Sequence, residues 1–153
     1  EEPLLPDIEQ IEELDAQFAG KQVLVVEDNK VNQMVVAGLL SKLGAEFHIC
    51  ENGQAAIELL MAKQEMFDVV LMDCEMPVLD GYAAAVRIRQ LEQSKRITPI
   101  PIIALTAHVL KEHKEKARRC GMDEHLPKPV DMSALRRVLG RYLGYRPLKV
   151  GNE

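Results

Sequence analysis

Apolar and polar residues alternate in blocks along the chain, and the period changes from block to block. Short, β-branched runs recur at "VLVV" (23–26), "FHIC" (47–50), "VVLM" (69–72) and "IPIIAL" (100–105), with a weaker one at "EHLP" (124–127). Brief apolar runs of this kind, bounded by turn formers, predict buried strands. Between them the spacing is helical. Val31, Val35, Leu39 and Leu43 recur every fourth residue and are expected to face inward, with Gly44 as the stop. Ala56, Leu59 and Leu60 mark a second helix, and "GYAAAVRIRQLEQ" a third. "HVLKEHKEKARRCG" reads as a fourth, stopped at Gly121, with only Leu110, Ala117 and Cys120 as expected anchors. Leu135, Val138, Leu139 and Tyr142 form the inward stripe of a fifth.

Five strands alternating with five helices predict an α/β fold, a parallel sheet covered on both faces. The strand starts lie roughly 22 to 31 residues apart, the room a helical crossover needs. Residues 1–20 differ from the rest. They are acidic, Pro6-Asp7 reads as a helix start, and Ile8, Ile11, Leu14 and Phe18 fall roughly on one helical face. They are expected to be a linker helix resting on the domain or on a neighbour. The domain proper is then 21–144, with 145–153 a C-terminal tail.

Length and composition narrow the classes. A chain of 153 residues that is 47% hydrophobic fits one domain with a real core. The net charge of -5 argues against nucleic acid as a partner. Cys50, Cys74 and Cys120 are odd in number and lack metal-type spacing, so they read as buried thiols in a reducing compartment. No apolar run approaches the roughly 18 residues of a membrane span. The expected location is cytoplasmic, with no membrane contact by this stretch. A parent protein anchored in the inner membrane stays open.

In open α/β sheets ligands bind beyond the carboxyl ends of the strands. The residues there are Glu27-Asp28, Asp73, Thr106 and Lys128; strand two ends at Cys50-Glu51, without an obvious part. Two like charges about 4 Å apart at an effective dielectric near 20 repel by roughly 4 kcal/mol. Such a cluster must share a proton, shift its pKa values or bind a cation. Hard carboxylate oxygens suit Mg²⁺. With Lys128 and Thr106 they suit a phosphoryl group, and Asp73 can accept one as an aspartyl phosphate. Each residue also has a duller reading: Asp28 or Thr106 as a helix cap, Asp73 as a turn residue, Lys128 as a solvated lysine.

The motifs "VLVVEDNKVNQ", "DVVLMDCEMPVLDGYAA", "PIIALTAH" and "GMDEHLPKPV" together resemble the response-regulator receiver domain over about residues 21–144. The wording is most like receivers fused to hybrid sensor histidine kinases. The resemblance implies the flavodoxin-like strand order 2-1-3-4-5. It implies Asp73 as phosphoacceptor, and Glu27, Asp28, Asp73 and the backbone carbonyl of Glu75 around Mg²⁺. It further implies Thr106 as switch hydroxyl, Lys128 as the phosphoryl-contacting lysine, and a cis Lys128-Pro129 bond. The implied function is a phosphorelay step in which Asp73 takes a phosphoryl group from a phosphohistidine on a histidine kinase or histidine phosphotransfer protein. This chain's own chemistry would be limited to gaining and losing that group, as a monomer or weak dimer. One departure stands out: the family's aromatic switch residue, three before the lysine, is here His125. Glu75 and His108, two residues after Asp73 and Thr106, occupy positions where the family varies the phosphorylated lifetime. Two other readings compete. One is a phosphorylation-independent docking module. The other, a stand-alone aspartyl phosphatase, lacks a matching motif and a substrate cap. No G-x-G-x-x-G follows strand one, which argues against a dinucleotide binder.

Overall fold

The computed structural model describes residues 17–144 apart from 64 and 109. The expected helix start at Pro6-Asp7, its Ile8, Ile11 and Leu14, and the tail 145–153 lie outside the described residues. Strands and helices alternate as β1 (Gln22–Val26), α1 (Lys30–Lys42), β2 (Glu46–Cys50), α2 (Gly53–Ala62), β3 (Val69–Asp73), α3 (Gly81–Gln93), β4 (Ile102–Thr106), α4 (Lys111–Arg119), β5 (Glu124–Pro127) and α5 (Met132–Leu143). The sheet is parallel with order β2-β1-β3-β4-β5. This is the flavodoxin-like arrangement expected. Among the described residues no helix is long and apolar enough to cross a membrane.

Successive side chains of a strand point to opposite faces, so each central strand feeds two cores. Leu24, Val26, Val70, Met72, Ile102 and Ala104 pack with Ile57 and Leu60 of α2, Ile88 and Leu91 of α3, and Ala117 of α4. Val23, Val25, Leu71, Ile103 and Leu105 pack with Val36 and Leu40 of α1 and Leu135, Val138 and Leu139 of α5. β3 and β4 are buried along their whole length.

Four helices start on a side-chain cap. Asn29 accepts from the Asn32 N–H at 3.0 Å, Asn52 from Ala55 at 2.8 Å, Asp80 from Ala83 at 2.8 Å, and Asp131 from Ala134 at 3.1 Å. Each cap satisfies a donor that the first turn leaves orphaned. α4 is the exception. It begins at Leu110 with no side-chain cap and buries only Ala117. Its expected anchor Leu110 is 59% exposed, while Cys120 is half-buried.

The inward face of α1 differs from the expected stripe. Gln33, Val36 and Leu40 are buried, followed by Leu43, whereas Val31 and Val35 are exposed. At 3.6 residues per turn, a run spaced strictly by four drifts about 40° per step. Val31 and Leu43 therefore cannot share one face. Phe18, read as part of a linker helix resting on the domain or on a neighbour, packs into the domain core. Its side chain is 1% exposed in the core under α1 and α5, and its N–H donates to the Leu43 carbonyl at 3.1 Å.

Removing that ring leaves a cavity at the base of α1. Phe18→Ala is expected to cost about 3–5 kcal/mol, read as a lower urea midpoint at unchanged slope. A variant within about 0.5 kcal/mol of the parent would show that Phe18 is not part of the core.

Candidate functional site

The parallel register carries four strand ends to one edge. Val26 pairs with Met72, Asp73 with Leu105, and Thr106 with Pro127. Glu27, one step past Val26, therefore stands beside Asp73. One carboxylate oxygen from each of Glu27, Asp28 and Asp73 lies within 4.8 Å of the others. Glu27 is fully buried, Asp73 is 2% exposed and Asp28 faces solvent. Lys128 closes the cluster, with Nζ 3.0 Å from Asp73 Oδ1 and 3.6 Å from Glu27 Oε1.

The structure removes the duller readings of Asp28, Thr106 and Lys128, while Asp73 does accept the N–H two residues on, as a turn residue would. The cap of α1 is Asn29, which frees Asp28. Thr106 caps no helix; its side chain is buried at the end of β4. Lys128 is half-buried and aimed inward, and the Lys128-Pro129 bond is cis. Glu75 donates its backbone N–H to Asp73 Oδ1 at 3.2 Å and keeps its side chain exposed. His125 is half-buried on β5, and no hydrogen bond joins its side chain to this cluster among the described residues.

Burial does most to push the Glu27 carboxyl up, to about 7, and the neighbouring Asp73 adds to it. The Asn29 N–H, at 3.1 Å from Oε2, and Lys128 pull the other way. For Lys128, burial alone would lower the pKa, but Asp73 and Glu27 more than offset it and the net shift is upward. The ammonium therefore stays charged. Among the described residues Glu27 Oε1 has no partner within hydrogen-bond distance, the Lys128 ammonium standing 3.6 Å away. A buried carboxylate oxygen without a donor is costly, and here it sits in a cluster of hard oxygens open to solvent through Asp28. That donor set fits a hexacoordinate divalent ion such as Mg²⁺.

Three supporting residues escaped the sequence reading. Gln33 Nε2 donates to the Glu27 carbonyl at 2.6 Å and fixes the turn that presents the acidic pair. Its signal was a polar residue at a buried helical phase. Gly81 starts α3 against β3, and a Cβ there would stand 2.2 Å from the Asp73 carbonyl oxygen. No larger residue fits without moving the backbone of Asp73 itself. Val78 takes φ 70°, and the Leu79 N–H bonds the Pro77 carbonyl at 2.8 Å across it. A β-branched residue in that region is strained, and this one is 81% exposed.

Comparison with known proteins agrees with this geometry. The model of the response regulator receiver domain matches residues 23–140. The chain belongs to that family. It is 38% identical over 132 residues to the sensor histidine kinase GacS of Pseudomonas protegens, covering 86% of this chain and 14% of that one. The chain thus spans about one-seventh of the length of such relatives. Among solved structures it is similar to the receiver domain of the sensor histidine kinase PA1611 from Pseudomonas aeruginosa, with magnesium coordinated in the active site cleft. That match has 40% identity and TM-score 0.71, over 82% of this chain and 99% of that one. It is also similar to the co-crystal of the Saccharomyces cerevisiae phosphotransfer protein Ypd1 with the receiver domain of Ssk1. There the figures are 34% and 0.74, covering 82% of this chain and 90% of that one.

The raised Glu27 pKa makes stability depend on pH. The folded state holds this proton more tightly than the unfolded chain, so stability falls as pH rises from the ordinary value of 4.5 to about 7. In metal-free protein the loss is expected to be on the order of 3 kcal/mol, and Glu27→Gln should remove it. Urea denaturation of both proteins across that interval is the measurement, and parallel profiles would refute the assignment.

Proposed function

We propose that this chain is the phosphoacceptor domain of a hybrid histidine kinase, taking a phosphoryl group from a phosphohistidine onto Asp73. The observation that supports it most is the set Glu27, Asp28, Asp73 and Lys128 at one sheet edge, with a buried Glu27 oxygen left without a donor within hydrogen-bond distance. Asp28 and Asp73, with Glu27 behind them and the Glu75 carbonyl, would hold Mg²⁺, the ion coordinated in the active site cleft of the similar Pseudomonas receiver. When bound, the ion supplies charge neutralisation at the phosphoryl oxygens. An Asp73 oxygen attacks phosphorus in line as the N–P bond of the donor breaks, and the bonding electron pair returns to the donor imidazole. Lys128, already at Asp73, balances the charge that arrives. The phosphoaspartate adds about -1.5 to -2 charge.

A partner must cover the strand ends to deliver the group, and α1 begins there. Its outer face carries Val31, Met34 and Val35, 67%, 74% and 41% exposed. Gly38 continues that face, and a Cβ on it would meet nothing in this chain. The apolar face favours docking of the domain that carries the histidine, whether kinase or phosphotransfer protein. It also keeps alive the second reading, a docking module independent of phosphorylation. The receiver unit is taken as residues 21–144 with Phe18 included.

A small phosphodonor with Mg²⁺ is expected to label Asp73 in the intact protein and to fail with Asp73→Asn or after chelation. Lys128→Ala should slow labelling about 10- to 100-fold, the worth of one charged hydrogen bond. Intact protein that keeps its partner affinity but takes no label would leave only the docking module. In a separate test, Met34→Asp should slow transfer from a phosphohistidine carrier roughly tenfold or more and leave the small donor unaffected. Equal slowing of both donors would remove α1 from the docking face.

A further inference from the structure

The hydroxyl of Thr106 is engaged as donor and as acceptor, and neither bond is with the acidic cluster. Thr106 Oγ1 accepts from the His108 N–H at 2.9 Å and donates to the His108 carbonyl at 3.2 Å. Both bonds tie the strand end to the loop that leads into α4. The side chain of His108 makes two further contacts. Its Nε2 lies 2.7 Å from Glu75 Oε1 on the loop after Asp73. Its ring stacks on His113, in the first turn of α4, at 4.5 Å between centroids and 21° between planes. A chain of direct contacts therefore runs from Thr106 through His108 to α4. Beside it a cleft of about 380 Å³ opens between the loop after β3 and α4, lined by Met76, Tyr82 and Lys116 among others.

α4 is built to respond. It lacks a side-chain cap and buries one residue. Few buried contacts and an uncapped end mark the low-stability part of a fold. His125 makes a poor alternative route. It lies opposite Ala104, two pairs before the Thr106–Pro127 pair. Its side chain makes no hydrogen bond and no ring contact among the described residues, and both Thr106 bonds go elsewhere.

We infer that the His108–His113 imidazole stack, and not His125, carries the state of Thr106 to α4 in this protein. This rests on the phosphoacceptor reading above. When Thr106 Oγ1 turns toward a phosphoryl oxygen, the His108 N–H and carbonyl lose their partner together and the loop must reorganise. The stacked ring of His113 moves with it, and the first turn of α4 shifts or frays. Two alternative arrangements of one loop and one weak helix are the kind of bistable element that a local charge can bias.

The test is hydrogen exchange of the α4 amides in the whole chain, with and without Mg²⁺ and beryllium trifluoride, which stands in for the phosphoryl group. In the parent protein the ligand is expected to change α4 exchange roughly threefold or more. His113→Ala should abolish that change while a small phosphodonor still labels Asp73. His113→Phe, which keeps a ring in the stack, should restore it, and His125→Ala should leave it intact. An α4 response that survives His113→Ala, or one that His125→Ala alone removes, would overturn the inference. Failure of the parent protein to take label at all would instead strike the phosphoacceptor reading, so the two failures are distinct.

Discussion

The site depends on one electrostatic balance. Two buried carboxylates, Glu27 and Asp73, share a single ammonium group, Lys128, at the end of a sheet whose interior is otherwise apolar. One positive charge cannot answer two negative charges and the solvent-facing Asp28 as well. The protein absorbs the excess in part by holding the Glu27 proton up to about 7. A divalent ion held there would take the place of that proton, because it would offer the missing charge and a closer partner for Glu27 Oε1. The same imbalance prepares the site for chemistry. In the proposed reaction a phosphoryl group would bring negative oxygens, and a centre already short of positive charge would accept it only with the ion's charge added.

The backbone around Asp73 is correspondingly inflexible. β3 is buried from end to end, Gly81 leaves no space behind the Asp73 carbonyl, and the strained turn at Val78 directs the chain into a capped helix. Strain of this kind persists only where the surroundings impose it. On the other side, Arg89 fixes the lower end of α4. It donates to the Gly121 carbonyl at 2.8 Å, the Ile100 carbonyl at 2.7 Å and Asp123 at 2.8 Å. Asp123 in turn accepts from the Ile102 N–H at 2.8 Å. α4 is thus pinned where it ends and loosely held where it begins.

Much of this was legible in the chain itself, for physical reasons that also explain the misses. Buried strands have a signal in composition, and the first polar residue after each one falls at the carboxyl edge. Glu27, Asp28, Asp73, Thr106 and Lys128 could therefore be read as a group from the sequence. The phase of α1 could not, because fourfold spacing matches a helical face only over short stretches. Phe18 was grouped by its spacing with Ile8, Ile11 and Leu14, and spacing alone does not show that its ring enters the core under α1 and α5. The stacking of His108 on His113 depends on how the loop between β4 and α4 folds, which no pattern of apolar residues encodes. His125 was visible as a departure, but its isolation from Thr106 was not.

These pieces fit a division of labour within one fold. The groups that would meet phosphorus sit on buried strands or rigid turns, where packing removes alternatives. Thr106, the proposed reporter, gives both its hydrogen bonds to the loop that leads into a helix few contacts restrain. At position 125 stands a half-buried imidazole whose pKa is lowered by burial and by Lys114, and in the proposed switch little would change on that face when Thr106 turns. The loop end of α4 is then the softest path open to the motion, because the opposite end is fastened by Arg89 and the sheet beneath is close-packed.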